Sequence, residues 1–318
     1  HVLTLKIGSV LFSVLILFLA YHVGVLFYGR RVATLYILIL ESAPYFSLGS
    51  IFWHIDQPFM AAWLCCLLAL GKFIQTRDYK WLLLFGIGAG IGALSKYIMV
   101  LFYISLFFWC LFDRRQRYLF TQWYTYAAGA LSLLVFSPNF YWNATHHWAS
   151  FAHQLNRGLS GGSGLGLFPL FTIGHLGLFS IIFSIWVWQS LITRKLLSQA
   201  ITTQESLLLA TALTPFVFFT LSSFRASASD PHWLNITYFS LFLLFSSFLV
   251  KQLEQQRERS VYTGLVLSYG LNLCVLGIAI LHICYAILPV NTAYVNNLLA
   301  WEKTASQIES LLAENRIK

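Results

Sequence analysis

Charge is scarce in this chain, and acidic charge is scarcest. Its 318 residues hold 11 Asp and Glu against 20 Lys and Arg, and only 10% of them are charged. A soluble domain carries roughly a quarter charged residues, so a water-facing globule is excluded. The few cysteines (Cys65, Cys66, Cys110, Cys274 and Cys284) all lie inside apolar runs. There they read as small packing residues rather than as a disulfide framework or a zinc cluster. No internal repeat is strong enough to suggest an inverted-repeat transporter. What the chain has in excess is apolar length: 58% of it is hydrophobic, 28 residues are Phe, and the mean hydropathy is +0.71. These values describe an all-α polytopic membrane protein. The net charge of +9 does not imply nucleic acid, because the basic residues sit in short clusters between apolar runs. Anionic lipid headgroups account for that placement.

Apolar runs of spanning or near-spanning length fall at about 7–28, 32–52, 58–75, 81–95, 97–112, 121–138, 167–192, 206–224, 234–250 and 261–288, which predicts about ten transmembrane helices. The 81–112 stretch reads either as two short spans broken near Lys96 or as one long tilted helix. Counting it as two puts every basic cluster on one side: Arg30-Arg31, Arg77 with Lys80, Arg114-Arg115 with Arg117, Arg194-Lys195, and Lys251 with Arg257 and Arg259. That side is expected to be the cytoplasm. The opposite face then receives 53–58, Ser95-Lys96-Tyr97, the Gly-rich and Trp-rich stretch 139–166, and 225–233. The 139–166 stretch reads as a loop or short helix lying in the interface. Residues 1–290 form the expected transmembrane domain. Within 291–318, Trp301, Ala305, Ile308 and Leu312 recur at helical spacing, the expected amphipathic opening of an extracytoplasmic segment. The chain begins at His1 without an initiator Met, and the expectation is a partial chain.

The candidate functional residues lie on that outward face. Asp56, in Trp53-His54-Ile55-Asp56-Gln57-Pro58, reads either as a helix N-cap or as a carboxylate facing a cleft. Lys96 interrupts more than thirty apolar residues, where an ammonium faces a cavity, pairs with an anion or snorkels to the interface. Glu41 lies within a span and is a candidate partner for Lys96. Gly86, Gly88, Gly90 and Gly92 lack the spacing and the preceding strand of a phosphate loop and read as close helix packing. His54, His146, His147, His153 and His232, with Asp56 and Asp230, are either interfacial polar contacts or ligands for a divalent ion. Arg157 and Arg225 suit phosphate binding or plain interfacial anchoring.

The order of these motifs resembles a known family. His54-Ile55-Asp56-Gln57-Pro58 before a span is similar to the second-loop Asp of the protein O-mannosyltransferase-like superfamily, and Ser95-Lys96-Tyr97 resembles the Lys-Tyr motif of its bacterial members. Ser137-Pro138-Asn139, Trp142-Asn143, His147-Trp148-Ala149-Ser150-Phe151 and His153-Gln154 resemble the following extracytoplasmic loop. Asp230-Pro231-His232-Trp233 resembles a later Pro-His-Trp element. This is glycosyltransferase family 39 and its relatives, including the aminoarabinose transferases that modify lipid A.

The resemblance implies a C-type glycosyltransferase fold in the bacterial inner membrane. It implies a polyprenyl (undecaprenyl) phosphate sugar donor, a lipid, glycan or protein acceptor, and reaction on the extracytoplasmic face. Asp56 is the catalytic candidate, while Lys96, Tyr97, Arg157 and Arg225 are candidates for the donor phosphate. His54, Asn143, His147, Trp148, His153, Gln154, His232 and Trp233 are candidates for substrate contact, with Glu41 and Asp230 beside them. A divalent metal ion is compatible with this set but not required by it. The family's catalytic acid lies in a first outward loop that has no counterpart before residue 28, so residues 1–318 alone are expected to bind the donor without turning it over. The rival readings are a transporter or flippase of lipid-linked sugars and a non-catalytic lipid-binding partner.

Overall fold

The computed structural model describes residues 2–50, 54–159, 167–193, 200–224, 230–255, 258–285, 287, 307, 309 and 310. Among them there is no strand. The helices are α1 (Val2–Tyr28), α2 (Arg30–Ser42), α3 (Pro44–Gly49), α4 (Asp56–Thr76), α5 (Lys80–Ser95), α6 (Val100–Phe112), α7 (Trp123–Thr145), α8 (Ala149–Leu159), α9 (Leu167–Leu178), α10 (Ile181–Ile192), α11 (Thr203–Ser223), α12 (Asn235–Glu254) and α13 (Glu258–Tyr285). Short 3-10 turns cover Tyr97–Met99, Arg114–Thr121 and Pro231–Leu234. The chain divides into two compact units, His1–Asn272 and Leu273–Lys318. The second holds the last part of α13, and most of the tail expected to be amphipathic lies outside the described residues.

Among the described residues five helices are long and apolar enough to cross a membrane, or up to seven if two bent pairs each count as one span. The predicted run 32–52 breaks at Ala43, whose extended backbone precedes Pro44. Proline disfavours helical backbone at the residue before it, so α2 stops and α3 restarts. The run 167–192 bends by 104° between α9 and α10. Ser180 there has φ 72°, and its hydroxyl accepts from the Phe183 N–H to cap the new helix. The stretch 97–112 turns by 118° into the Arg114–Thr121 turn. Conversely, α7 continues through Pro138 to Thr145, so residues 139–145 are helical rather than loop. The break expected at Lys96 is present, because Lys96 is extended and its N–H closes α5 on the Gly92 carbonyl at 2.8 Å.

The centre of the first unit is α12, with every residue from Asn235 to Val250 buried. A helix apolar all round has nowhere to go but the interior of a bundle. Its small polar residues tie it to α11: Thr211 and Ser240 share a hydroxyl hydrogen bond of 2.8 Å, and Thr237 donates to the Ala212 carbonyl at 3.2 Å. Such contacts hold helices together where lipid removes the hydrophobic drive between them. The glycines of α5 do what their spacing suggests. A Cβ on Gly90 would lie 2.8 Å from the Ser132 carbonyl oxygen, and one on Gly92 would lie 3.1 Å from the Ala62 Cβ. α5 therefore sits tightly between α7 and α4. Exposed apolar side chains run along α1 (Val10, Leu11, Val14, Phe18) and α11 (Val217, Phe218, Leu221), as expected of surfaces that face lipid.

Contacts between helix ends define two ends of this bundle. One carries described members of the basic loops, while Arg194-Lys195 and Arg257 lie outside the described residues. Arg31 pairs with Glu254 at 3.5 Å, and the Asp113 carboxylate receives Arg115 at 2.8 Å and the Ser206 hydroxyl at 2.7 Å. Burial of Asp113 opposes its ionisation, but the hydrogen bonds from Arg115 and Ser206 outweigh it and hold its pKa below the usual carboxylate value. The other end gathers His54, Asp56, Lys96 and His232.

Candidate functional site

Four chain segments far apart in sequence converge on Asp56. The acid is the first residue of α4 and is buried, its side chain only 1% exposed. Lys96, at the α5 break, donates to Asp56 Oδ1 at 2.5 Å, and its ammonium lies 5.9 Å from the Phe59 ring centre. Tyr45, on α3, donates its hydroxyl to Oδ2 at 3.1 Å. Asn235, opening α12, donates its amide to the Tyr45 hydroxyl at 2.9 Å and reaches Oδ2 at 3.5 Å. Two imidazoles complete the ring: His54 Nδ1 lies 3.5 Å and His232 Nε2 3.6 Å from Oδ2. His232 stacks on Tyr45 with centroids 6.2 Å apart and meets His54 edge-on at 5.8 Å. The Ser95 hydroxyl donates to the Ile55 carbonyl at 2.8 Å, pinning the Lys96 corner to the start of α4.

This arrangement corrects two expectations. Asp56 does not cap α4 with its side chain, because its carboxylate is turned towards Lys96, Tyr45 and Asn235. Lys96 is matched to Asp56 rather than to Glu41, which is exposed on α2. The pairing also explains how an ammonium is tolerated among apolar helices. A buried charge requires a partner and hydrogen bonds to its remaining lone pairs, and here each side supplies the other's.

A second polar cluster adjoins the first through Tyr97. Its hydroxyl lies 3.0 Å from Asn139 Oδ1 and 2.7 Å from Ser150 Oγ. The buried Asn143 donates to Asn139 Oδ1 at 3.0 Å and accepts from Ser150 at 2.7 Å. Tyr97 stacks on Phe151 at 5.0 Å, so the end of α7 and the start of α8 are fastened to the Lys96 corner. The turn between these helices takes His147 and Trp148 through positive φ, 53° and 56°. His147 and Trp148 are exposed there, as are His153 and Gln154 on α8. Trp233 is half-buried against Phe219 at 5.5 Å. Asp230 is half-buried beside the Pro231–Leu234 turn, its carbonyl accepting from the Trp233 N–H at 3.1 Å. The Arg157 side chain and Arg225 lie outside the described residues, as does Trp53.

Beneath the second cluster runs an apolar groove of about 420 Å³ between α5, α6 and α7, lined by Tyr97, Val100, Gly129, Leu133, Phe136 and Phe140 among others. A larger one, about 740 Å³, separates α6 from α11 and ends at Asp113 and Arg115 at the opposite end of the bundle. Among the described residues, His54, Asp56 and His232 are the group whose donor atoms all lie within 4.8 Å of one another, close enough to share a metal ion.

Residues 2–142 match the family model for dolichyl-phosphate-mannose-protein mannosyltransferases. No curated protein matches the chain. Among solved structures, the crystal structure of ArnT from Cupriavidus metallidurans bound to undecaprenyl phosphate aligns with a TM-score of 0.65 at 17% identity. Its apo form aligns with a TM-score of 0.64 at 17% identity. Each alignment covers 91% of this chain and 52% of the other, so this chain spans about half the length of those proteins. In the sequence of residues 2–142 the chain is thus similar to the dolichyl-phosphate-mannose-protein mannosyltransferases, and in fold it is similar to ArnT.

Proposed function

We propose that this chain carries the donor-lipid site of a membrane glycosyltransferase. It holds a polyprenyl-phosphate sugar at the extracytoplasmic face for transfer to a lipid, glycan or protein acceptor. The observation that carries the reading is the juxtaposition of Lys96 with an apolar groove through its neighbour Tyr97. A polyprenyl phosphate needs both, a dry channel for its tail and cationic donors at the channel's mouth. During transfer the acceptor oxygen bonds to the anomeric carbon while the bond from that carbon to the phosphate oxygen breaks. The electron pair stays on the departing phosphate, and positive charge fixed at that point lowers the barrier. Lys96 supplies that charge, with Arg157 and Arg225 as further cations.

Asp56 has a different part from the proton-abstracting one. Its carboxylate is buried and already accepts from Lys96 and Tyr45, an engagement that opposes proton abstraction. It serves as a positioning residue that holds the ammonium in place. The concentration of unusual polar residues at one end of the bundle supports an enzyme over a transporter, which needs polar gates at several depths. The bound lipid in the first ArnT structure is consistent with the same donor class.

Gly129 gives a direct test, because it lines the groove and a Cβ added there meets nothing within 4 Å. Gly129→Trp fills the groove and is expected to weaken binding of undecaprenyl phosphate at least about tenfold, the size of effect expected from losing a few buried methylenes. Unchanged affinity in a folded variant would remove the groove from the donor site.

A further inference from the structure

The two histidines that face Asp56 are not placed as ordinary hydrogen-bond partners. Their nitrogens stand 3.5 and 3.6 Å from Oδ2, beyond the usual range of about 2.7–3.2 Å for N–H···O bonds. Tetrahedral zinc with ligands at about 2.0–2.1 Å sets neighbouring donor atoms roughly 3.3 Å apart. Two of the three edges are therefore within a few tenths of an ångström of that spacing. All three atoms lie within 4.8 Å of one another. The Asp56 backbone N–H donates to His54 Nδ1 at 3.2 Å, a long hydrogen bond to the lone pair that a metal would use, and the cation displaces it on binding.

We propose that His54, Asp56 and His232 bind a zinc-like divalent cation whose open position takes a phosphate oxygen of the donor. The chemistry of the set fits: two imidazole nitrogens and one carboxylate oxygen are the ligands of zinc sites that keep a position free for substrate. A second layer fits as well. Tyr45 donates to the coordinating oxygen, and Lys96 holds the other one, so the carboxylate is fixed with Oδ2 towards the imidazoles. His54 is half-exposed and His232 partly so, their side chains 53% and 22% accessible, which leaves the fourth position on the open side. Charge completes the case. Lys96 shares its charge with Asp56, so a divalent ion adds to the positive charge that meets the donor's phosphodiester, a monoanion, and the dianionic polyprenyl phosphate that leaves. The ion accepts a lone pair from the phosphate oxygen, and no redox step is involved.

The phosphate role rests on the donor reading above, but metal binding does not, and the experiment separates them. The full chain, purified without a polyhistidine tag and stripped with a chelator, is titrated with Co²⁺ followed by visible absorption, then with competing Zn²⁺. One equivalent should bind with the intense bands of four-coordinate cobalt. His54→Ala, at a residue whose side chain is 53% accessible, and His232→Gln should each weaken binding at least about tenfold, with melting temperatures checked alongside. His146, His147 and His153 replaced together by Ala should leave binding unchanged. Absence of a stoichiometric ion, or insensitivity to both single variants, overturns the site. Zinc-loaded protein should bind undecaprenyl phosphate about tenfold more tightly than stripped protein. Equal affinity overturns the phosphate role, and lipid binding by neither form alongside an intact metal site overturns the donor reading instead.

Discussion

Replacing Lys96 with Met tests the reading of the Asp56 cluster most severely. Met keeps the length and the apolar stem of lysine but removes the ammonium. Lys96 supplies the hydrogen bond to Asp56 Oδ1, at 2.5 Å, whereas Tyr45 and Asn235 both address Oδ2. The variant therefore strands half of a carboxylate whose side chain is 1% exposed. Breaking a buried pair from one side costs about 3–5 kcal/mol. At about 2–4 °C per kcal/mol for chains of a few hundred residues, the melting temperature should fall by roughly 10 °C. Asp56→Asn alone strands the ammonium instead and should also destabilise. The double variant leaves a neutral amide beside a thioether, so its loss should fall short of the sum of the two single losses by about 2–3 kcal/mol. The assay is thermal unfolding in detergent, read by tryptophan fluorescence and by loss of the monodisperse peak. Single variants that melt with the wild type, or losses that simply add in the double variant, would refute the buried-pair argument.

Other outcomes follow from the packing and the electrostatics. Gly90→Leu pushes a branched side chain into the Ser132 carbonyl, 2.8 Å from the Cβ position, and should lower stability by more than about 1–3 kcal/mol in the same melt. Tyr97→Phe deletes the hydroxyl shared by Asn139 and Ser150 and should cost about 1–3 kcal/mol, with faster proteolysis at the α7–α8 turn as the readout. Asp113 has a folded-state pKa below its unfolded value. Its contribution is thus fully present above the unfolded value of about 4 and is lost as pH falls through the folded one. Asp113→Asn should accordingly lower the melting temperature at pH 7 and narrow its gap from the wild type as the pH is taken down towards 3.

Much of this fold was legible because membrane helices announce themselves by composition. The apolar runs at 58–75, 206–224 and 234–250 match α4, α11 and α12 with at most one residue outside the helix, and the interruption at Lys96 marked the real end of α5. Averaged hydropathy failed where single residues govern the backbone. Ala43 before Pro44 and Ser180 at positive φ break runs that remain apolar throughout. Pro138, a breaker by type, sits inside α7, since helices in lipid and their neighbours can absorb the lost hydrogen bond.

The site was half legible for a similar reason. Asp56, Lys96, His54 and His232 stand out as polar residues in apolar surroundings. Tyr45 and Asn235 carry no such signal, one being among 16 tyrosines and the other an ordinary start to an apolar helix. They are separated by 190 positions, and only the packing of α3 against the first turn of α12 brings them together. Glu41 was a candidate partner for Lys96 for want of that packing, although Asp56 lies 40 positions away across one tight helical hairpin.

The central claim is that this end of the bundle recognises a phosphate on a polyprenyl chain. The measurement that tests it most directly compares retention of undecaprenyl phosphate and of undecaprenol by the purified chain, using native mass spectrometry from detergent. The tails are identical, so only the headgroup distinguishes them. One charge-assisted contact is worth about 1.5–3 kcal/mol, so the phosphate should be preferred by about tenfold or more. Equal retention of the two lipids would mean that the groove alone binds and that Lys96 and its neighbours have no part in recognising the donor.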